Sequence, residues 1–438
     1  MNTINAKNPS YVRDKMVPQS SPPLGQKGAL RWMMDNLFSS PMNTILTLVS
    51  VYVLYAVLSG LFPLFANSIW NANNLNECRE ILAAKGLGSH DGFCFGVIKD
   101  RWRQLLFGFY PNTEYWRPVL ALVLLIVGIM PVLFDSIPRK FIIGTLIMPF
   151  ALFFLLWGGS IWGPIAVALA FVLGWAVLKY LSPHIGELGG ILAAVIVPLL
   201  YLLFLVGPIA GALHSILPIG LDYIASKEFG GFMLSIVIGV ASIVLSLPLG
   251  ILLALGRSSD MMIINKLSTG FIEIIRGVPL IVWLFTASLL LNYFLPPGTN
   301  FDLLLRVMIM VTLFSAAYIA EVVRGGLAAL PKGQYEGGDS LGLNYWQSMR
   351  LVVLPQALKI SIPGIVNTFI GLFKDTALVV FIGLLDPFGL TGSIRASTDW
   401  NGIYWELYIF IGAMFFIFCY SMGRYSLYLE NKLQREHR

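Results

Sequence analysis

Charge is what this sequence has least of. Only 12% of its 438 residues are Asp, Glu, Lys or Arg, against about 25% in soluble domains. A surface that poor in charge does not face water throughout, which excludes an ordinary soluble enzyme or binding module. Cysteine is scarce too, with three residues, and no Cys/His grouping has the spacing of a metal site, so no metal is expected. The first residues carry no apolar core followed by a small-residue cleavage site, so they do not read as a cleaved signal peptide. A phosphate-cradling loop of Gly, four residues, then Gly-Lys-Ser/Thr is missing as well. Its nearest lookalike, Gly250 to Ser258, has five residues between the glycines and Arg257 where Lys belongs, at the end of an apolar run. ATP hydrolysis is therefore not expected on this chain. The net charge is +6 without a dense Lys/Arg stripe, so no nucleic-acid partner is expected.

What the chain does have is apolar surface in blocks. Hydrophobic residues make up 57% of it, and the mean hydropathy is +0.77. The blocks run roughly 18–25 residues, the length that crosses a bilayer as a helix. Lipid offers no partner to a free N–H or C=O, so helix is the expected form. The blocks are 42–66, 118–134, 141–158, 162–181, 189–208, 230–255, 271–295, 303–323, 360–385 and 405–427, about ten spans. The fold class expected is an all-α, multi-pass integral membrane protein whose main partner is lipid.

The polar stretches divide the blocks. Residues 1–41 form a tail ending in a short amphipathic piece, Leu30 to Phe38. Spans within 42–208 follow, interrupted by the polar segment 67–117. Residues 209–229 read as an interfacial linker, and 230–430 hold the last five spans. Orientation follows from Lys/Arg placement. With the tail in the cytoplasm, the short inside loops hold Arg139, Lys140, Lys179, Arg257, Lys266, Arg324, Lys332, Arg350 and Lys359. The short outside loops hold only Lys227 and Arg395. Segment 67–117 then lies outside, with six basic and five acidic residues, a near balance that suggests a small folded piece. Loop 324–359 lands inside.

That inside loop is not polar filler. Pro331 suits a first helical residue, and a short helix over Lys332 to Leu341 is expected. Gly342 supplies a left-handed stop. Asn344 starts a second helix, with Gln347 three residues on as in a capping box, and Pro355 ends or kinks it. Gly337 and Gly338 thin the first helix, each costing about 1 kcal/mol against Ala. A thin weak helix suits the groove of another protein; an ordinary surface helix pair fits the same spacing.

The stretch Glu336, Gly337, Gly338, Asp339, Ser340, Leu341, Gly342, then Leu354 and Pro355, resembles the Glu-Ala-Ala loop of ABC importer permeases. Glu336, Gly342, Leu354 and Pro355 match at the family spacing; Gly337 and Gly338 replace the alanines, and Val352 replaces an isoleucine. Glu273 to Pro279, Glu321 to Gly326 and Lys374 to Leu378 resemble signatures of the polar amino acid branch. The stretch Cys94 to Pro111 and the early spans resemble the larger M-type subunit of general L-amino acid importers. The resemblance implies a type I permease domain over 230–430 in a bacterial inner membrane, with 42–208 as an accessory region. It implies a coupling helix docked on a separate ATPase dimer, which carries the ATP and Mg. It further implies a second permease subunit, a periplasmic binding protein and an L-amino acid cargo. A single such loop occurs here, so this chain supplies half of a two-fold pathway.

Charges inside spans face cavities or partners. Glu273 and Arg276 stand three apart, as do Glu321 and Arg324, so each couple can pair along its own helix. Lys374 and Asp375 fall well inside 360–385, with Thr376 beside them, and point about 100° apart. They can meet the two charged groups of an amino acid, or each can pair with a neighbouring helix through Arg306 or Glu321. Outside, Cys78 and Cys94 can close a loop of about fifteen residues, worth roughly 3 kcal/mol, or pack as free thiols. The oxidising side favours the bridge. An ion-driven secondary carrier is the rival reading, but it calls for two related halves, and the first five spans do not repeat the last five.

Overall fold

The computed structural model describes residues 28–134, 136–290 and 302–435. Nearly all of the described structure is helical. Two short strands, Gly159–Ser160 and Gly220–Leu221, pair antiparallel. Residues 1–27 of the expected tail lie outside the described residues, whereas its amphipathic end forms the helix Ala29–Asn36.

Among the described residues, seven helices are long and apolar enough to cross a membrane: Pro41–Ala66, Asn112–Leu133, Trp162–Gly186, Gly231–Arg257, Leu303–Ala328, Tyr345–Ile382 and Trp405–Leu433. Two more apolar stretches are bent pairs. Gly189–Phe204 turns by 53° into Val206–Ile216, and Met262–Gly277 turns by 102° into Leu280–Leu290. Ile142–Trp157 is a shorter apolar helix. Among the described residues each of the ten blocks has an apolar helical counterpart, though not always a straight rod, and residues 291–295 of the block 271–295 lie outside the described residues. The expected span 271–295 is corrected: its first part belongs to the helix starting at Met262, and Val278–Pro279 breaks the chain before it turns.

Local chemistry sets these ends. Ser40 caps Pro41–Ala66 by accepting from the Asn43 N–H at 3.2 Å, with Pro41 as the first helical residue. The long run Trp162–Phe204 is two rods, because Gly186 takes φ +79° just after Pro183, a conformation open to glycine alone at little cost.

Contacts group the chain into two compact units. One holds residues through Ile69 together with Arg79–Phe93; the other holds Trp70–Cys78 with Cys94–Arg438. In the first, helix Pro41–Ala66 buries none of its own residues. Its end is tied by the Phe93 N–H to Leu64 O at 3.1 Å and the Ile69 N–H to Phe93 O at 2.8 Å.

In the second unit, 94–216 and 231–435 share one core, so contacts do not separate at 209–229. The reason is specific. Trp157 and Phe229 pack with ring centroids 4.6 Å apart, Tyr110 lies 5.8 Å from Phe229, and the Tyr110 hydroxyl donates to Leu156 O at 2.9 Å. Arg117, almost fully buried, pairs with Glu114 at 2.6 Å and donates to Asp222 O at 2.8 Å. Deeper in, helices Gly231–Arg257 and Leu303–Ala328 pack along their length. A Cβ on Gly250 meets Ile319 at 2.6 Å, and one on Gly326 meets Ala357 O at 2.5 Å. Lipid is as apolar as leucine, so close packing of small residues, not water exclusion, holds such helices together.

Candidate functional site

The inside loop folds from local signals. Helix Gly333–Ser340 follows Pro331, and Gly342 stops it with φ +69°. The Leu343 N–H returns to Gly338 O at 3.2 Å, closing a glycine C-cap. Asn344 then forms a full capping box: its side chain accepts from the Gln347 N–H at 2.9 Å, and the Gln347 side chain accepts from the Asn344 N–H at 3.1 Å. One expectation is corrected. Pro355 does not end the second helix. The chain runs from Tyr345–Ser348 through a π-turn at Met349–Val353 into helix Leu354–Asp375, where Pro355 sits in the first turn. Its missing N–H costs little there.

Gly337 and Gly338 differ in kind. A Cβ on Gly338 meets Ser348 Oγ at 2.5 Å, so a side chain at that position must displace the serine hydroxyl. A Cβ on Gly337 meets nothing within 4 Å. Glu336, Gly337, Asp339, Ser340, Leu341 and Gly342 are exposed, with Leu341 78% accessible and Trp346 beyond it 67%. The helix is anchored by Gln356 Nε2, which donates to Gln334 Oε1 at 2.8 Å. Leu354 and Pro355 line an apolar hollow of about 320 Å³ with Leu255, Trp346, Met349, Arg350 and Leu358.

Behind this loop lies a charge hub. The Glu321 carboxylate accepts from Arg324 Nε at 2.7 Å and from Arg257 Nη1 at 2.9 Å, and lies 3.4 Å from Arg276 Nη1. Arg257 also reaches Glu273 at 2.8 Å. Glu321 and Arg324 thus pair along one helix as expected. Glu273 and Arg276 do not pair with each other within 4.0 Å; each crosses to another helix. The hub ties the ends of three helices together. It adjoins a cavity of about 720 Å³ whose walls include Arg257, Asp260, Arg324, Tyr335, Asp339 and Tyr345. Glu273, near the far end of Met262–Gly277, thus meets Arg257 at the end of the preceding helix, just before the chain turns by 102°.

The family model for the binding-protein-dependent transport system inner membrane component matches residues 246–435. The glutamate/glutamine/aspartate/asparagine transport system permease protein BztC of Rhodobacter capsulatus is 54% identical over 430 residues, 98% of this chain and 99% of that protein. The inner membrane amino-acid ABC transporter permease protein YhdY of Escherichia coli is 36% identical over 405 residues, 92% of this chain and 93% of that one. The chain belongs to this permease family. A crystal structure of an amino acid ABC transporter with histidines aligns over 46% of this chain and 91% of its own, at 30% identity and a TM-score of 0.41. The protein is thus a multi-pass permease subunit of the bacterial inner membrane.

In this permease, Lys374 and Asp375 lie where the α-helix ends. Leu354–Asp375 gives way to a 3₁₀ turn, Thr376–Ile382, and Gly383 takes φ +89°. Both fall within the apolar stretch Tyr345–Ile382, at the point where its helix changes from α to 3₁₀. Lys374 is exposed, Asp375 is half-buried, and Thr376 is buried with its hydroxyl on Phe373 O at 2.8 Å. Neither charge joins an ion pair among the described residues. The two partners proposed for them are engaged elsewhere: Glu321 in the hub, and Arg306 on Ala287 O at 3.4 Å and Ser288 O at 2.9 Å.

Cys78 and Cys94 are joined by a disulfide with Cα atoms 6.0 Å apart. Among the described residues, no three His, Cys, Asp or Glu side chains gather to hold a metal. Sequence reasoning missed Arg257 as the residue that joins Glu273 to Glu321 in the hub. Its signal was present: a lone cation ending one span beside two that end in Glu/Arg couples.

Proposed function

We propose that this permease subunit imports polar L-amino acids by forming half of a translocation pathway driven by a separate ATPase. The observation that carries this is the exposed helix Gly333–Ser340, which has an open face at Gly337 and is rooted on the span that bears Lys374 and Asp375. A helix lacking side chains on one face can seat in a partner's groove at short range, and tilting it moves the span behind it. The ATPase dimer carries the ATP and Mg. A second permease subunit completes the two-fold pathway, and a periplasmic binding protein delivers the amino acid.

Lys374 and Asp375 offer one cation and one anion near the outer end of the pathway, with Thr376 beside them, and they suit a zwitterion. The hub of Glu273, Arg276, Glu321 and Arg324, joined by Arg257, links the inner ends of three helices and transmits or gates the stroke. Relatives named for glutamate, glutamine, aspartate and asparagine transport support acidic and amide side chains as the cargo class. An ion-driven carrier is disfavoured because the chain lacks the internal repeat that such carriers use.

The test is reconstitution. The subunit, purified with its ATPase, second permease and binding protein, should take up labelled glutamate only with ATP. Deleting Gln334 to Gly342 should release the ATPase and stop uptake. Uptake that follows an ion gradient without nucleotide overturns the reading.

A further inference from the structure

We propose that residues 94–110, outside the matched family region, are a fixed strut across the outer mouth of the permease half. This deepens the function proposed above and rests on it. Helix Gly96–Phe107 has 12 residues, about 18 Å at 1.5 Å per residue. Its N-terminal end contacts the loop that follows Lys374 and Asp375 directly, and its C-terminal end meets the start of that loop through Gly230 and Gly231.

At the C-terminal end, three backbones meet with no room between them. A Cβ on Gly108 falls 2.3 Å from Gly230 Cα, one on Gly231 falls 2.4 Å from Leu105 O, and one on Gly230 falls 2.8 Å from Leu385 O. The Gly231 N–H donates to Leu385 O at 2.8 Å, and Gly108 bridges to Phe229. Leu385 lies two residues after Gly383, which ends the 3₁₀ turn. At the N-terminal end, fully buried Trp400 donates its indole N–H to Asp100 Oδ2 at 2.9 Å. The Cys94 N–H donates to the buried Glu406 carboxylate at 2.8 Å. Arg101 spans Asp100 at 2.8 Å and Asp399 at 3.6 Å. The Cys78–Cys94 disulfide pins this end.

Loop 383–406, with helix Pro387–Arg395 inside it, is therefore held by this helix directly near Trp400 and Glu406 and through Gly230–Gly231 near Leu385. Glycine backbones in contact have no side chain to slide or adapt. If the two parts separated, the fully buried Trp400 indole N–H and the buried Glu406 carboxylate would each lose a partner, which is costly. The contact accordingly persists through the transport cycle, and Asp100 and Gly108 are positioning residues for the outer mouth.

Two measurements test this in the assembled transporter. Asp100→Leu removes the acceptor for Trp400, while Asp100→Asn keeps one. With assembly and basal ATPase activity unchanged, D100L should lower the substrate-stimulated to basal ATPase ratio about tenfold, and D100N should restore it. A merely structural role would move yield and melting temperature but not that ratio, so wild-type stimulation in D100L overturns the strut. The second variant, Arg101→Cys/Asp399→Cys, is tied by a short bis-thiol reagent. Uptake should stay within roughly twofold of the untied control; arrest on tying means that the two parts slide, and overturns the proposal. Wild-type protein with no ATPase stimulation at all would instead sink the underlying import reading.

Discussion

Removing the centre of the charge hub gives a magnitude that the structure sets. Glu321→Gln leaves Arg257, Arg276 and Arg324 with one carboxylate, Glu273, whose side chain is 55% exposed. The Glu321 side chain is 21% exposed, between two limits. Exposed pairs are worth about 0–1 kcal/mol; stranding the partner of a buried pair costs about 3–5 kcal/mol. A loss of about 2 kcal/mol follows, which lowers the melting temperature of a domain this size by about 4–8 °C. The assay is thermal unfolding of the detergent-purified subunit, run with a double-mutant cycle. Arg257→Met and Glu321→Met should together cost about 1–2 kcal/mol less than their sum, because they remove one shared contact. Strict additivity, or an unshifted melt for Glu321→Gln, refutes the hub as a unit.

Burial pushes the Asp386 carboxyl up to about 6 from 3.8, against two backbone N–H bonds that lower it. The folded state then holds the proton more tightly. Its contribution is complete below about pH 3.8 and is lost as pH rises through about 6, a swing of about 3 kcal/mol. Asp386→Asn keeps the cap on Gly389 and stays neutral, so it should melt higher than wild type at pH 7.5 and equally near pH 4; equal melts at both would refute the burial argument. Gly337→Ala adds helix propensity without a clash and should slow amide exchange across 333–341 about fivefold. Gly338→Ala must displace Ser348 Oγ, and should match that gain only when Ser348→Gly accompanies it; a gain from Gly338→Ala alone would contradict the close approach. Lys374→Met should depress uptake and substrate-stimulated ATPase activity together, and unchanged values for both would remove Lys374 from the pathway.

What the sequence told in advance was local. Gly342 as a stop and Asn344 with Gln347 as a box depend on residues three or four apart, and they folded as read. Apolar block length located the spans, because a bilayer imposes it whatever the tertiary fold. Long-range partners were not legible. Arg257 and Glu321 are 64 residues apart, and nothing in composition pairs them. The turn at Val278–Pro279 fell inside a block read as one span from its length, although Gly277 and Pro279 stand there. Residues 209–229 looked like a linker because they are only half apolar and carry Asp222, Lys227 and Glu228, yet Phe229 and Asp222 anchor the early spans to the late ones. Pro355 was read as an end or a kink because proline breaks helix interiors, whereas after the π-turn Met349–Val353 its place in a first turn makes it compatible with a start.

The account stands or falls on what the open face of helix Gly333–Ser340 touches. A single cysteine at Gly337, in a background with Cys419 replaced by Ser, should cross-link to the ATPase subunit in native membranes. It should also be shielded from an impermeant thiol reagent added outside intact cells. Labelling from outside, or a cross-link to no nucleotide-hydrolysing partner in an actively transporting membrane, would contradict it.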